Sequence, residues 1–126
     1  AQFIGSTNQF SGKLREVNGD GRGSVETSMG ELHCTVTGEA APGSEVVVMV
    51  RPENIVLHKA RPPETANVVE GKIAMVMFLG QYLDCTIELG RNVFQTYQHH
   101  SLQLRRGDSV WVELPPGDCL AIGAKN

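Results

Sequence analysis

Asn8-Gln9-Phe10-Ser11-Gly12-Lys13-Leu14-Arg15-Glu16-Val17 and Asn67-Val68-Val69-Glu70-Gly71-Lys72-Ile73-Ala74-Met75-Val76 are two writings of one pattern. Each places an asparagine ahead of a Gly-Lys pair, follows the pair with a branched apolar residue, and returns to valine one turn of pattern later. A second landmark recurs downstream: Gly43-Ser44-Glu45-Val46-Val47-Val48 corresponds to Gly107-Asp108-Ser109-Val110-Trp111-Val112. The landmarks stand roughly five residues farther apart in the second copy, which therefore carries a short insertion. Internal repetition names the building block before any other signal does. Here the block is short, turn-rich and apolar-alternating, so it is a small β unit used twice, over about 8–59 and about 67–122.

Working outward from those segments, alternation with a period of two dominates. Leu32, Cys34 and Val36 share one face of a predicted strand, with His33, Thr35 and Thr37 on the other. Leu83, Cys85, Ile87 and Leu89 alternate with Tyr82, Asp84, Thr86 and Glu88, and Val110, Val112 and Leu114 alternate with Ser109, Trp111 and Glu113. Such strands bury one face and wet the other, as in an antiparallel sheet or small barrel. Two stretches break the rule by being apolar on both faces: Val46 to Val50, and Ile73 to Leu79. Each needs a cover on both sides, from its own domain or from a partner surface.

Turn signals separate the strands. Asn18-Gly19-Asp20-Gly21-Arg22-Gly23, Met29-Gly30 and Gly90-Arg91-Asn92 supply residues tolerant of positive φ. Ala60 to Ala66, with Pro62-Pro63, is the expected connection between the repeats, and Ser101 to Arg106 has room for one helical turn. The expectation is roughly ten short strands in an all-β fold, with closure favoured because it removes exposed edges.

Composition narrows the function classes. A chain of 126 residues suits one compact domain, or two half-barrels sharing a core. The formal charge of −3 argues against nucleic acid, whose phosphates select a basic face. Seven scattered aromatics and small basic spots at Arg105-Arg106 and Lys59/Arg61 do not amount to a base-stacking groove. No apolar run approaches the ~20 residues that span a bilayer, so direct membrane insertion is not expected. No signal peptide is visible. Three cysteines without Cys-x-x-Cys spacing are neither a disulfide framework nor a zinc site. Cys34 and Cys85 fall at inward positions, which reads as small hydrophobes in a reducing compartment.

Catalytic constellations are missing. There is no G-x-S-x-G elbow, no H-E-x-x-H and no P-loop. Asn18, Asp20 and Gly21 resemble the start of a calcium loop, but the position of its bidentate acid is Thr27. The adjacent His99-His100 pair lies on a predicted strand end, where neighbours point to opposite faces and do not readily share a metal. The chain itself is therefore read as non-enzymatic, with no catalytic, cofactor-binding or metal-binding residues. The most distinctive string is Arg51-Pro52-Glu53-Asn54-Ile55, which follows an apolar strand at once. Pro52 ends the ladder by withholding an N–H donor. Arg51 and Glu53 bracket this corner, either as a local strand terminator or as part of an interface.

Phe3-Ile4-Gly5-Ser6-Thr7-Asn8-Gln9-Phe10-Ser11-Gly12, Val50-Arg51-Pro52-Glu53-Asn54-Ile55 and Gly107-Asp108-Ser109-Val110-Trp111-Val112, in this order, resemble the C-terminal TOBE (transport-associated OB) region of ABC importer ATP-binding subunits of the polyamine, iron and sugar type. The resemblance covers nearly the whole chain, and that family builds OB-like barrels from two such units. It implies a regulatory and dimerising region behind an ATPase domain, in a protein located in the cytoplasm at the inner face of the membrane. The implied partners are that ATPase domain, a second copy of the subunit and the transmembrane permease subunits. ATP and Mg would be bound by the ATPase domain, with no cofactor in this chain. Because the chain starts at Ala1, it is expected to be a fragment of a longer protein, entered through Phe3-Ile4-Gly5. The interface or regulatory residues implied are Asn8, Arg51, Pro52, Glu53 and Asn54. Ser6 to Leu14 also resembles the opening of molybdate-binding Mop-type units, whose oxyanion sites use backbone N–H groups and polar side chains. Arg51-Pro52-Glu53 stands where that pattern expects a Lys/Ser/Thr-rich closing segment.

Overall fold

The computed structural model describes residues 7–124. Phe3-Ile4-Gly5 lies outside them. The described residues are all β, with ten strands in two matching series. The first series is β1 (Asn8–Val17), β2 (Arg22–Thr27), β3 (Gly30–Thr37), β4 (Glu45–Val50) and β5 (Val56–His58). The second is β6 (Val68–Leu79), β7 (Tyr82–Leu89), β8 (Asn92–His99), β9 (Ser109–Glu113) and β10 (Leu120–Gly123). A single 3-10 turn precedes the last strand of each series, at Pro52–Asn54 and Pro116–Asp118.

The last strand of each series does not join its own sheet. A closed barrel runs β1-β2-β3-β10-β4, and a five-stranded sheet runs β5-β9-β6-β7-β8. β10 lies parallel to β3 and antiparallel to β4, so the end of the second repeat closes the first barrel. Reciprocally, β5 of the first repeat pairs antiparallel with β9. The sequence repeat is thus not the packing unit. Each half is completed by four or so residues from the other, and the two share one core that includes Leu14, Val25, Val48, Ile73, Ile87 and Val112. Phe10 and Phe94 stack across the junction, with ring centroids 5.5 Å apart.

The repeated landmarks have physical reasons. The β1–β2 register shifts between Leu14 and Glu16, and the β6–β7 register shifts between Ile73 and Met75. These bulges bend each strand sharply enough to curl its sheet. Gly12 and Gly71 sit just before the bends: a Cβ would come within 2.9 Å of the Glu26 carbonyl oxygen in one case and of Ile87 Cγ2 in the other. No larger residue fits such a close approach. Gly43 and Gly107 adopt φ of 92° and 93°, and their N–H groups donate to the carbonyls of Leu14 and Ile73, each at 2.7 Å. These bonds tie the loop before β4 or β9 to the bend.

The alternating strands behave as read. Leu32, Cys34, Leu83, Cys85, Ile87, Leu89, Val110, Val112 and Leu114 are all buried. Burial pushes the Cys85 thiol up to about 11, with the charge of Asp84 adding to it. The Cys119 thiol is also raised, first through its hydrogen bond with Cys34 and then through burial. Protonated, buried thiols of this kind behave as small apolar groups. Three expectations need revision. Ser101 to Arg106 forms no helical turn, because Leu102 and Leu104 both reach back to the core from an irregular segment. The His99 and His100 rings do not diverge but stack at 4.3 Å, since the strand ends at His99 and the chain turns. Arg61 is not merely solvated, for its guanidinium lies 5.1 Å from the centre of the Trp111 ring.

Candidate functional site at the seam between the halves

Two asparagines hold the halves together. Asn8 Nδ2 donates to the Gln95 carbonyl and the Gln95 N–H donates to Asn8 Oδ1, both at 2.8 Å. The His33 N–H donates to Asn67 Oδ1 at 2.8 Å, while Asn67 Nδ2 donates to the carbonyls of His33 and Leu114 at 2.7 and 2.8 Å. A carboxamide carries the same donor and acceptor as a peptide group, so each asparagine acts as one extra residue of backbone ladder. Asn8 of the first repeat grips the third strand of the second, and Asn67 does the reverse. Both are buried.

The Arg51-Pro52-Glu53-Asn54 corner is the crossover that carries the chain out of the first barrel. Pro52 begins the turn and is buried, and the Asn54 N–H closes it by donating to the Arg51 carbonyl at 3.0 Å. Gln98 Nε2 on β8 then donates to the Ile55 carbonyl at 2.8 Å. The counterpart turn at Pro116–Asp118 is held against β3: Thr35 Oγ1 donates to the Pro116 carbonyl at 3.1 Å and the Thr35 N–H to the Cys119 carbonyl at 2.8 Å. Pro52 and Asn8 therefore serve the fold.

Arg51 and Asn54 have another setting. With Thr7, Met49, Gly117, Asp118 and Leu120 they wall a cleft of about 300 Å³ where the two crossover turns meet. The Arg51 guanidinium approaches the Glu53 carboxylate only to 3.9 Å, and both side chains are mostly exposed. Such a pair contributes little to stability. It leaves Arg51 free to meet a partner. The cleft offers a cation, a carboxylate at Asp118, an amide and an apolar floor. It holds no nucleophile paired with a base. Among the described residues, no group of three or more His, Cys, Asp and Glu side chains is placed to hold a metal. The structure brings Arg51 and Asn54 together with Gly117 and Asp118, which the sequence did not single out. Nothing in the local pattern marks Asp118. Asn67 is legible in hindsight, because it repeats Asn8.

A model of the TOBE domain matches residues 48–122. The chain belongs to the TOBE domain family. Relatives of this TOBE domain include the spermidine/putrescine import ATP-binding protein PotA of Trichormus variabilis, 33% identical over 97% of this chain and 33% of the relative. Those of Rubrobacter xylanophilus and Thermotoga maritima are 32% and 24% identical, over 99% and 97% of the chain and 34% and 36% of the relative. The TOBE domain thus spans about a third of the length of the curated relatives it matches. Among solved structures, the cytoplasmic molybdate-binding protein ModG superposes with a TM-score of 0.81 at 18% identity, over 94% of this chain and 96% of that one. That likeness establishes the shared fold. No helix among the described residues is long and apolar enough to cross a membrane.

Proposed function

We propose that this TOBE domain is the regulatory and dimerisation region of the ATP-binding subunit of an ABC importer, coupling ATP-driven solute uptake to assembly of the subunit. The observation that carries the reading is the full-length match to import ATP-binding proteins, of which about two thirds lies outside the matched region. That remainder is ample for an ATPase domain, where ATP and Mg would bind, and which would contact the permease subunits at the membrane. The seam cleft fits a surface that receives contacts, because Arg51 is exposed, loosely paired and set on a turn held rigid by Pro52 and Gln98. In cells carrying the full-length subunit, Arg51→Ala with Glu53→Ala is expected to reduce solute uptake or subunit assembly at least several-fold. The melting temperature of the domain should stay within about 3 °C. Unchanged uptake would demote the corner to a crossover.

A second reading is a small-oxyanion binding module of the molybdate type. The ModG fold match and the Arg51 guanidinium favour it, whereas the Asp118 carboxylate in the same cleft repels an anion. Calorimetric titration of the chain with molybdate, tungstate and sulfate is expected to show no saturable heat. Saturation at micromolar anion would reverse the order of the two readings.

A further inference from the structure

The strand apolar on both faces in the second repeat has no cover. Met75, Met77, Phe78, Leu79 and Tyr82 are all exposed on the β6–β7 hairpin, Phe78 to 68% and Met75 to 54%. The corresponding two-faced strand of the first repeat, β4, is instead paired on both edges and alternates between buried and half-buried residues. The hairpin's outer edge is also unpaired. β9 reaches only to Lys72, and the last bonds on that side are those of Ile73 with Gly107 and Asp108. Among the described residues, no strand pairs with the edge of residues 74–79 away from β7.

The repeat supplies an internal control. After the same bend, the first hairpin continues Arg15-Glu16-Val17-Asn18-Gly19-Asp20, whereas the second continues Ala74-Met75-Val76-Met77-Phe78-Leu79. The fold therefore tolerates charge at this place, and the apolar sequence answers another need. Natural sheets guard open edges with charge or proline, and residues 73–79 have neither.

We propose that the β6–β7 hairpin is the surface on which a second copy of this chain docks, edge 74–79 against edge 74–79 about a two-fold axis. The five exposed side chains present roughly 500 Å² per copy, so two copies bury about 1,000 Å² from these residues alone, the floor for a specific interface. A single short peptide laid on the hairpin would leave part of that area wet. An uncharged edge meets its own copy without like-charge repulsion. Beside it, a hollow of about 360 Å³ between Phe78, Leu83, Leu102 and Leu104 has room for a ring from the second copy. This deepens the dimerisation half of the proposed function, and the tests fail separately: the seam is judged by uptake, the hairpin by mass in solution.

Sedimentation equilibrium of the 126-residue chain is expected to show a dimer at tens of micromolar. Phe78→Asp, and separately Met77→Lys, should weaken it at least about 100-fold while circular dichroism stays that of the folded chain. Val93→Asp, at an exposed apolar residue of β8 outside the hairpin, should leave the dimer intact. Amide exchange at residues 74–79 should slow with concentration. A chain monomeric at several hundred micromolar overturns the proposal. So does a dimer that neither hairpin variant weakens, or one that Val93→Asp breaks equally.

Discussion

Ending the chain after Asp118 is expected to unfold the first barrel, although its own strands end far upstream at Val50. Without β10, both β3 and β4 lose a neighbour and the barrel opens between them. Cys119 and Ala121, both fully buried, leave the core. The strand pairs through Leu120, Ala121 and Ile122 with β3, and through these and Gly123 with β4. At about 1 kcal/mol net for each ladder bond, plus the exposed core, the loss is on the order of 5 kcal/mol or more. That is comparable with the whole stability of an ordinary domain. Thermal unfolding followed by circular dichroism should show no cooperative transition for the shortened chain at 25 °C. A melt within a few degrees of the full-length value would mean that the barrel closes without its tenth strand. By the same reasoning, residues 1–59 alone should not fold, because their barrel needs β10 from the other repeat.

The second large effect is expected at Asn67. Replacing it by alanine removes three hydrogen bonds and leaves the His33 N–H and the Leu114 carbonyl without those partners in a closed seam. Unmet buried polar groups cost about 1–3 kcal/mol each, so a loss of roughly 3–5 kcal/mol is expected in urea unfolding. Asn67 also holds φ of 58°, a region in which asparagine is better tolerated than alanine. Asn67→Gly relieves the backbone without restoring the amide, and should recover only about 1 kcal/mol. Asn8→Ala, which removes two bonds, should cost roughly 2 kcal/mol. A loss below about 1 kcal/mol for Asn67→Ala would show that water replaces the clamp.

These two experiments address what the repeat means. A duplicated sequence suggests two units standing side by side. The structure shows two units that each lend the other a strand and an asparagine. Such exchange makes the halves interdependent, and it brings the two Pro-led turns to one cleft.

Local chemistry was legible throughout. Period-two alternation marked the buried face of β3, β7 and β9, because a pleated strand sends successive side chains to opposite sides. Turn residues at Asn18 to Gly23, at Met29-Gly30 and at Gly90-Arg91 set the hairpins, and the chain from Ala60 to Ala66 joins the series as read. Gly12, Gly71, Gly43 and Gly107 announced themselves by repetition, since a bend or a positive φ excludes larger residues wherever the unit recurs. What alternation does not encode is which sheet a strand enters. Three or four apolar-alternating residues such as Val56–His58 or Leu120–Gly123 satisfy any open edge equally, and only the closed geometry of the assembled chain selects one. The same limit hid the partners of Asn8 and Asn67, the meeting of Arg51 with Asp118, and the bare face of β6. Sequence alone established the unit, its strands and its bends; tertiary structure decided the exchange between units, because distant edges find each other by closure and not by local preference.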